Sequence, residues 1–504
     1  MRAETLVMLG SILLVAVCSS GAGAGERGTA MGPLRLSVSN PRYFTDGSQK
    51  AIYLTGSHTW ANLQDMGTGD PPLKFDFSSY VKFMEAHGHN FMRMWVAEQA
   101  RGVPWTSADV YVDPLPFTRE GPGLALDRKP KFNLEKFNQK YFDRLRARIM
   151  EAGEHGMYVS VMLFNGWSIE KKGGAGNPWL GHPFNQSNNI NGIDGDLNGD
   201  DEAIELYTLD EDPRIRASLV RQEAYVKKVI DTVNDLDNVL YEITNESRLI
   251  SVPWQYHMIN VVKRYESTKP KQHPIGMTGL HEGGEPISNI SLYNSPADWI
   301  SPNNSDPYLN DPPSAHASKI IISDTDHLWG IGGTYSWVWK SFLRGLNPIF
   351  MDPWESIVAT ADPKNDPNFH EWTLLRRAMG DTVRFAQRMG LSAMAPRGEL
   401  ASSAYCLANP DQEYLVYLPS DGHFGVNWFD RFHLHGWVNW FSKAMAWSQT
   451  VSVDLSGSSK VFQVEWFNPR TGQTISGGAT VGGGLQSFTA PFSADAVLYL
   501  AADS

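Results

Sequence analysis

Short apolar runs alternate with amphipathic helical patterns from about residue 50 to about residue 395, and no other feature limits the possible folds of this chain so strongly. Runs of this length are typical of parallel strands that are buried on both faces. They predict strands at 51–55, 91–95, 157–164, 238–246, 274–278, 298–301, 319–323 and 348–352. Alternation of eight such strands with helices predicts an α/β fold, the (β/α)8 TIM barrel. A doubly wound open sheet is the alternative, but no glycine-rich dinucleotide-binding turn follows any strand.

The segments between these runs carry helical signals. Asp76 is a typical capping residue for a helix at 76–86. Apolar residues at four-residue steps, Tyr141, Leu145 and Ile149, predict a second helix at 134–156. Similar patterns predict further helices at 213–233, 254–265 and 370–390. Such crossover helices are what parallel strands require between them.

The pattern changes after residue 394, so the barrel is predicted to span 33–394 and a second domain 395–504. Alternating or apolar runs at 413–418, 451–455, 461–466 and 496–500 lie between turn residues and predict a small antiparallel β-sandwich. An aromatic-rich insertion at 419–450 interrupts it and contains Trp428, Trp437, Trp440 and Trp447. This insertion is either a locally packed cluster or a surface on which sugars stack.

The N-terminal segment, the cysteine count and the net charge limit where the protein acts and what it binds. An apolar stretch from Leu6 to Val17, followed by small residues through Ala24, predicts a signal peptide at 1–24 and a secreted or periplasmic protein. The stretch is too short for a membrane span. Cys406 is the only cysteine beyond the leader, so no intrachain disulfide is expected. A net charge of −12 without a basic run argues against nucleic acid as a partner, and the oligomeric state is left open.

Polar and aromatic side chains cluster where the predicted strands end. In a parallel barrel these carboxyl ends meet at one face, which is where such barrels carry their chemistry. Two carboxyl groups facing one another there are what glycoside hydrolysis requires. The candidate residues at this face are His58, Trp60, Arg93, Trp95, Asn165, Trp167, Asn245, Glu246, Asp324, Asp326, His327 and Trp354.

The set resembles the clan-A retaining glycoside hydrolases, in which an Asn-Glu pair ends strand four and an arginine lies on strand two. The closer likeness is to apiosidase-like, cellulase-related glycoside hydrolases, which begin with patterns like 40–47 and 54–60. These proteins often carry a C-terminal module named for collagen binding, which 464–472 resembles. The resemblance covers most of the chain after the leader.

The resemblance implies a role for each matching residue. Glu246 would be the general acid and base, and Asn245 would bind the 2-hydroxyl of the sugar. Arg93 would orient the nucleophile, a carboxylate at the end of strand seven, and keep it charged. The family usually has glutamate at that position, whereas this chain has Asp326. Since aspartate is one methylene shorter, a retaining mechanism requires the backbone to lie closer to the sugar, and otherwise the two carboxyls reach the inverting separation.

A second group of oxygen ligands has the spacing of a calcium-binding loop. Asp194, Asp196, Asn198, Asp200 and Glu205 fall at alternating and terminal positions around Gly199. No helix precedes the loop, so an EF-hand pair is excluded, and the alternatives are a single structural Ca²⁺ or an acidic surface loop. No cofactor is expected for catalysis.

These observations predict a secreted hydrolase of O-glycosidic bonds in a poly- or oligosaccharide, with Glu246 and Asp326 as the catalytic pair. Two alternatives stay open. One is an inactive barrel that binds carbohydrate, because a barrel that has lost catalytic activity is expected to lack the strand-seven glutamate. The other is a cell-surface adhesion protein in which the sandwich is the active part. Glu98 or Glu355 becomes the partner to test if Asp324 and Asp326 both point away from the barrel axis.

Overall fold

The computed structural model describes residues 32–171, 176–283, 285–354, 363–420 and 449–503. Eight parallel strands close into a barrel in which each strand pairs with its neighbours along the chain, which confirms the predicted TIM barrel. The strands are β1 (Gly56–His58), β2 (Phe91–Met94), β3 (Tyr158–Asn165), β4 (Val239–Asn245), β5 (Ile275–Thr278), β6 (Trp299–Ser301), β7 (Ile320–Asp324) and β8 (Asn347–Met351). Every residue of these strands is buried, as expected for parallel strands covered on both faces.

Helices separate the strands everywhere except between β6 and β7, where residues 302–319 contain none. They are α1 (Phe77–Ala86), α2 (Gln139–Glu154), α3 (Pro213–Val233), α4 (Val252–Glu266), α5 (Ile290–Tyr293), α6 (Tyr335–Leu343) and α7 (Phe369–Arg388). Side chains of Asp76, Asn138 and Asp212 accept hydrogen bonds from the first turns of α1, α2 and α3. These caps explain why the chain begins each helix where it does.

Two predicted elements begin later than the sequence pattern indicates. The first barrel strand starts at Gly56, not at residue 51, because Ile52 pairs instead with Phe44. At Gly56 a Cβ would lie 2.0 Å from the carbonyl oxygen of Phe91, so only glycine lets β1 and β2 meet here. Helix α2 starts at Gln139 because 130–137 form a strand of a hairpin.

Most additional structure lies in the long connection between β2 and α2. Tyr111–Asp113 pairs with Asp65–Gly67, and Phe117–Leu124 pairs with Pro130–Phe137. Two shorter pairs join Arg35–Leu36 to Phe44–Thr45 and His281–Glu282 to Glu285–Pro286. Short 3-10 helices occur at Gly166–Ser168, Pro178–Gly181, Gln186–Asn188, Ile204–Tyr207, Leu249–Ser251, Thr325–His327, Pro363–Asn365, Leu391–Ala393 and Gly398–Leu400. The loops at the carboxyl ends of the strands therefore build a substantial rim.

The C-terminal region is a two-sheet antiparallel unit, which confirms the predicted sandwich. Its strands are β9 (Ala395–Pro396), β10 (Cys406–Asn409), β11 (Glu413–Leu418), β12 (Thr450–Asp454), β13 (Val461–Phe467), β14 (Thr474–Val481), β15 (Leu485–Thr489) and β16 (Ala496–Ala502). One sheet has the order β9-β10-β11-β16-β13-β14, and β12 pairs with β15 in the other. Val453, Phe462 and Leu498 lie in the shared core between them.

The sandwich packs against the outside of the barrel at α6 and α7. The ring of Trp339 on α6 lies 6.3 Å from that of Tyr417 and 5.8 Å from that of Phe467. Arg388 at the end of α7 pairs with Glu465. Within the described ranges no helix is long and apolar enough to cross a membrane. The predicted signal peptide and residues 421–448 of the aromatic-rich insertion lie outside those ranges.

Candidate active site

Arg93, on β2, lies at the centre of a buried group at the carboxyl ends of the barrel strands. Its Nε and Nη2 donate to the two oxygens of Glu242 at 2.7 and 2.6 Å. Its Nη1 donates to Asp324 at 3.1 Å and to Asp326 at 2.8 Å. The Arg93 side chain is 2% exposed and is the cation that these three carboxylates share.

His58 supports this group from β1. Its Nδ1 lies 2.6 Å from the indole nitrogen of Trp95, and its Nε2 lies 2.9 Å from Asp324 Oδ1. An indole N–H can only donate, so Nδ1 is the acceptor and Nε2 carries the proton that is donated to Asp324. Both His58 and Asp324 are fully buried. Trp95 therefore orients His58, and His58 holds Asp324, while their predicted contact with the sugar stays a prediction.

Asp324 orients the residue that follows it by two positions. Its Oδ1 accepts from the backbone N–H of Asp326 at 2.9 Å and so caps the 3-10 helix Thr325–His327. Burial raises the pKa of Asp324, but the proximity of His58 and Arg93 outweighs this and holds the pKa below its usual range. Asp324 is therefore a charged anchor beneath Asp326.

Asn245 and His327 complete the floor of the site. The amide oxygen of Asn245 accepts from Arg93 Nη2 at 2.6 Å, which fixes the orientation of the amide. That oxygen also lies 3.1 Å from His327 Nε2, so the imidazole donates there and its Nδ1 accepts from Ser301 Oγ at 2.8 Å. Burial, together with Arg93, lowers the pKa of His327 to about 4, so the ring is neutral at pH 7. The contact between Asn245 and a sugar 2-hydroxyl stays a prediction.

Glu246 leaves the end of β4 in a strained backbone conformation. Its φ is +40°, in the left-handed region that residues with a Cβ rarely adopt. Gly166 makes room for this turn, because a Cβ there would lie 2.5 Å from the carbonyl oxygen of Glu246. The indole N–H of Trp167 donates to Glu246 Oε2. Strain of this kind is typical of functional sites, where the surrounding structure enforces it.

Glu246 and Asp326 face each other across the site. Each places a carboxylate oxygen within 4.8 Å of the other and of a His327 nitrogen. Unlike Glu242 and Asp324, which are inaccessible, Glu246 is partly exposed and the Asp326 side chain is 7% exposed. Burial and the charge of Glu246 raise the pKa of Asp326 well above its usual range, although Arg93 opposes them. The two carboxyls thus hold a proton between them more readily than separate carboxyls would.

This pair does not have the donor set of a metal site. His327 Nε2 donates its proton to Asn245, so it offers no lone pair to a cation. Arg93 Nη1 lies 2.8 Å from Asp326, so the guanidinium already supplies the positive charge that a metal ion would bring to this carboxylate. The arrangement brings two carboxyl groups together beside one guanidinium.

Asp326→Asn should raise the free energy of unfolding at pH 7 by about 0.5–2 kcal/mol, the usual gain from relieving a strained functional site. A raised folded pKa means that the native protein binds more protons than the unfolded chain. Its stability is then greatest below the ordinary pKa of 3.8 and falls as the pH rises through the folded pKa. Urea unfolding between about pH 4 and pH 8 measures this slope, which the variant should lack. An unchanged slope would contradict the assignment.

Asp324→Asn is the matched control with the opposite expected sign. Because the folded pKa of Asp324 is depressed, its charge stabilises the protein above the ordinary value of 3.8, and this contribution is lost only as the pH falls through the folded pKa. The variant should therefore lose about 1–3 kcal/mol of unfolding free energy across the neutral range, the cost of unpairing a buried hydrogen bond to a charged group. Equal effects of the two substitutions would exclude different roles for the two aspartates.

The predicted aromatic residues divide into two groups. Trp354 packs its ring against Tyr80 at 5.1 Å and Phe83 at 6.0 Å, and it follows Asp352, which pairs with Arg376 of α7. Its contacts are thus those of a packing residue between β8 and α1. Trp60 and Trp167 are half-buried at the carboxyl ends of β1 and β3. Asn165 caps the short helix that carries Trp167, with its Oδ1 accepting from the Trp167 backbone at 3.1 Å.

Glu98 does not take the place of Asp326. One of its oxygens accepts from the Tyr207 hydroxyl and from the backbone N–H of Asn165, the latter at 2.9 Å. Its other oxygen lies 3.5 Å from His182. Glu98 therefore stabilises the end of β3 through the backbone of Asn165. Glu355, the other residue considered, lies outside the described residues.

The acidic loop at 194–205 is held by its own backbone. Asp196 accepts from the N–H groups of Gly199 at 2.7 Å and Asp201 at 3.0 Å, and Asn198 donates to Asp200 at 3.0 Å. In the described part of the chain, no three carboxylates of this loop bring their oxygens within 4.8 Å of one another. A structural Ca²⁺ held by Asp194, Asp196, Asn198, Asp200 and Glu205 stays a prediction.

Three participants in the site did not emerge from the sequence. Glu242 is the bidentate partner of Arg93, and an isolated charge within an apolar strand was a usable sign that it needed a buried partner. Ser301, which donates to His327, has no distinctive pattern around it. Trp105 lies in the β2–α2 connection, with its ring 6.2 Å from that of Trp167. Its position depends on the path of a loop, which residue patterns do not reveal.

Comparisons with known proteins agree with the fold. A family described as a domain of unknown function, DUF6298, matches residues 104–288. The sequence matches no curated protein. A solved structure titled glycoside hydrolase has a TM-score of 0.54 and 12% identity, covering 94% of this chain and 97% of its own. A glycoside hydrolase family 5 protein from Bacteroides vulgatus has the same TM-score and identity, with 94% of each chain covered. At this identity the similarity concerns the fold of barrel and sandwich.

Proposed function

We propose that this protein is a secreted glycoside hydrolase that cleaves O-glycosidic bonds of an oligo- or polysaccharide with retention of configuration. Glu246 is the general acid and base, and Asp326 is the nucleophile. The observation that carries the proposal is the approach of these two accessible carboxyls to within 4.8 Å at the carboxyl end of the barrel. The titles of the structurally similar proteins, both glycoside hydrolases, support it.

The separation of the carboxyls favours retention over inversion. Retaining enzymes place the two groups about 5–5.5 Å apart, whereas inverting enzymes need about 6.5–9.5 Å to admit a water molecule. The shorter side chain of Asp326 still brings a carboxylate oxygen within 4.8 Å of one of Glu246. An approach of the two carboxylate oxygens to within 4.8 Å lies below the inverting range.

The reaction follows from the positions of the two carboxyls. Glu246 gives its proton to the glycosidic oxygen while an Asp326 oxygen attacks the anomeric carbon, so that the bond to the leaving group breaks as the bond to Asp326 forms. Water then attacks the anomeric carbon, gives a proton to Glu246 and releases Asp326. The hydrogen bond from Arg93 Nη1 stabilises the Asp326 carboxylate when it is unbound.

One proton for two carboxyls is the state that this mechanism needs. Arg93 contacts three carboxylates, of which Glu242 and Asp324 together accept three of its hydrogen bonds and Asp326 accepts one. The remaining pair, Glu246 and Asp326, is therefore undercompensated and takes up a proton. The raised pKa of Asp326 favours the proton on Asp326 in the free protein. Catalysis requires that proton on Glu246, and the hydrogen bond from Arg93 Nη1 favours the ionised form of Asp326 once a sugar is bound.

Secretion is part of the proposal and is supported by the leader pattern at 1–24. Collagen binding by the C-terminal sandwich is not part of it. A signal peptide and a two-carboxylate site together favour a carbohydrate outside the cytoplasm as the substrate.

We expect native protein to release its first product with the anomeric configuration of the substrate, because a double displacement restores it. The measurement is proton NMR of the anomeric signals during hydrolysis of the most active glycan from a panel of plant and microbial polysaccharides. Release of the opposite anomer would contradict the retaining mechanism. Glycan retained on the protein without any product would favour the inactive carbohydrate-binding barrel.

A further inference from the structure

Three tryptophans form a continuous aromatic surface beside the two carboxyls, here called the tryptophan wall (Trp60, Trp105 and Trp167). The ring centroid of Trp105 lies 6.2 Å from that of Trp60 and 6.2 Å from that of Trp167. The planes of the first pair meet at 34° and those of the second at 68°, so the wall curves. Since Trp167 donates its indole N–H to Glu246, the wall begins at the reacting centre.

The exposure of Trp105 is not explained by packing. Its side chain is 44% exposed, whereas large aromatic rings usually contribute to stability by burial. Trp60 and Trp167 on either side of it are only partly covered. An exposed apolar surface beside polar, titratable side chains is characteristic of a ligand-binding surface.

The loop that carries Trp105 is held closely by the neighbouring segment. A Cβ on Gly176 would lie 2.2 Å from the carbonyl oxygen of Val103, and one on Gly181 would lie 2.2 Å from that of Arg101. Gly102 has a φ of +88° and donates its N–H to Val110 at 2.8 Å. Glycines at these contacts let two backbones touch, so Trp105 is presented on an ordered support. Preorganisation of this kind lowers the entropic cost of binding.

We propose that the tryptophan wall binds successive sugar rings of an oligosaccharide and that Trp105 makes the enzyme prefer long chains over short ones. A pyranose ring has an apolar C–H face that fits the flat face of an indole, while its hydroxyls stay free for polar groups. The inference rests on the proposed function only in that the bound chain passes Glu246. It assigns the substrate class as chains of several sugars rather than single glycosides.

Binding to an inactive form separates this inference from catalysis. The probe is an array of plant and microbial cell-wall oligosaccharides of increasing length, applied to Glu246→Gln protein and followed by calorimetric titration of the best ligand. Affinity should rise with chain length. Adding Trp105→Ala should weaken binding of the longest chain about tenfold and flatten the length dependence. Trp105→Phe, which keeps an aromatic face, should retain most of the affinity.

The outcomes are distinct. Equal affinities of the Trp105→Ala and parent proteins for the longest chain would overturn the inference, as would affinity that does not change with length or an array without any ligand. Length-dependent binding through Trp105, in a protein whose native form hydrolyses none of the bound chains, would support the inference while refuting the proposed function. Thermal unfolding of each variant should match the parent, since the replaced ring is largely exposed.

Discussion

Glu246→Gln should reduce kcat about 10²–10⁴-fold, the usual contribution of a positioned general acid. Glutamine is nearly isosteric and can still accept from Trp167, so the strained turn at φ +40° and the shape of the site should persist. KM should change little, because the lost interaction acts on the transition state. Kinetics with the best glycan from the panel, together with urea unfolding to establish an intact fold, measure both parameters.

The leaving group gives a sharper form of this prediction. A 2,4-dinitrophenyl glycoside needs no proton on departure, so the first step should survive in Glu246→Gln and only the second, which needs a base, should be slow. Added azide, a nucleophile that needs no base, should then restore turnover and yield a glycosyl azide of retained configuration. Glu98→Gln is the matched control at the same end of the barrel and should stay within tenfold of native activity, because Glu98 supports β3 from behind. Equal losses in both variants would exclude Glu246 as the acid.

The barrel itself could be predicted from the sequence because its strands are apolar on both faces and its helices have clear caps. The bounds of α3 agree with the predicted 213–233 since Asp212 and Pro213 mark its beginning unambiguously. The predicted helix 134–156 includes residues 134–137 of the hairpin strand Pro130–Phe137, because apolar residues there continue the helical spacing of α2. Pairing with Phe117–Leu124 makes this segment a strand. The local sequence pattern does not reveal such a tertiary interaction.

The site was predicted unevenly for a physical reason. Strand ends in a parallel barrel converge, so Arg93, Glu246 and Asp326 could be expected at one face from their positions alone. Their division of labour could not, because it depends on side-chain direction and burial. The hydrogen bonds from Trp95 to His58 and from His58 to Asp324, for example, cannot be inferred from the positions of these residues at strand ends. Trp105 comes from a loop whose course depends on close glycine contacts far along the chain.

Arg93→Met should lower the free energy of unfolding by about 3–5 kcal/mol, the cost of leaving a buried charge without its partner. Methionine fills a similar volume but removes every donor from Glu242, which is fully buried and accepts two hydrogen bonds from Arg93. Domains of this kind are stable by about 5–15 kcal/mol, so the variant should be marginal and inactive. Urea unfolding at neutral pH measures the change. Arg264→Met, an exposed arginine of α4, is the control and should change stability by less than about 0.5 kcal/mol.

Two further variants separate charge from geometry at this centre. Arg93→Met with Glu242→Gln removes the uncompensated carboxylate and should recover about 1–3 kcal/mol of the loss without recovering activity, because Asp326 still lacks its cation. Arg93→Lys keeps the charge but cannot bind Glu242 through two parallel hydrogen bonds, so it should fold even if Arg93→Met does not. Its turnover should fall, because a single ammonium cannot reach Glu242, Asn245 and Asp326 together as the guanidinium does. Native activity in Arg93→Lys would mean that Arg93 supplies charge alone, and native stability in Arg93→Met would mean that the buried carboxylates are already protonated.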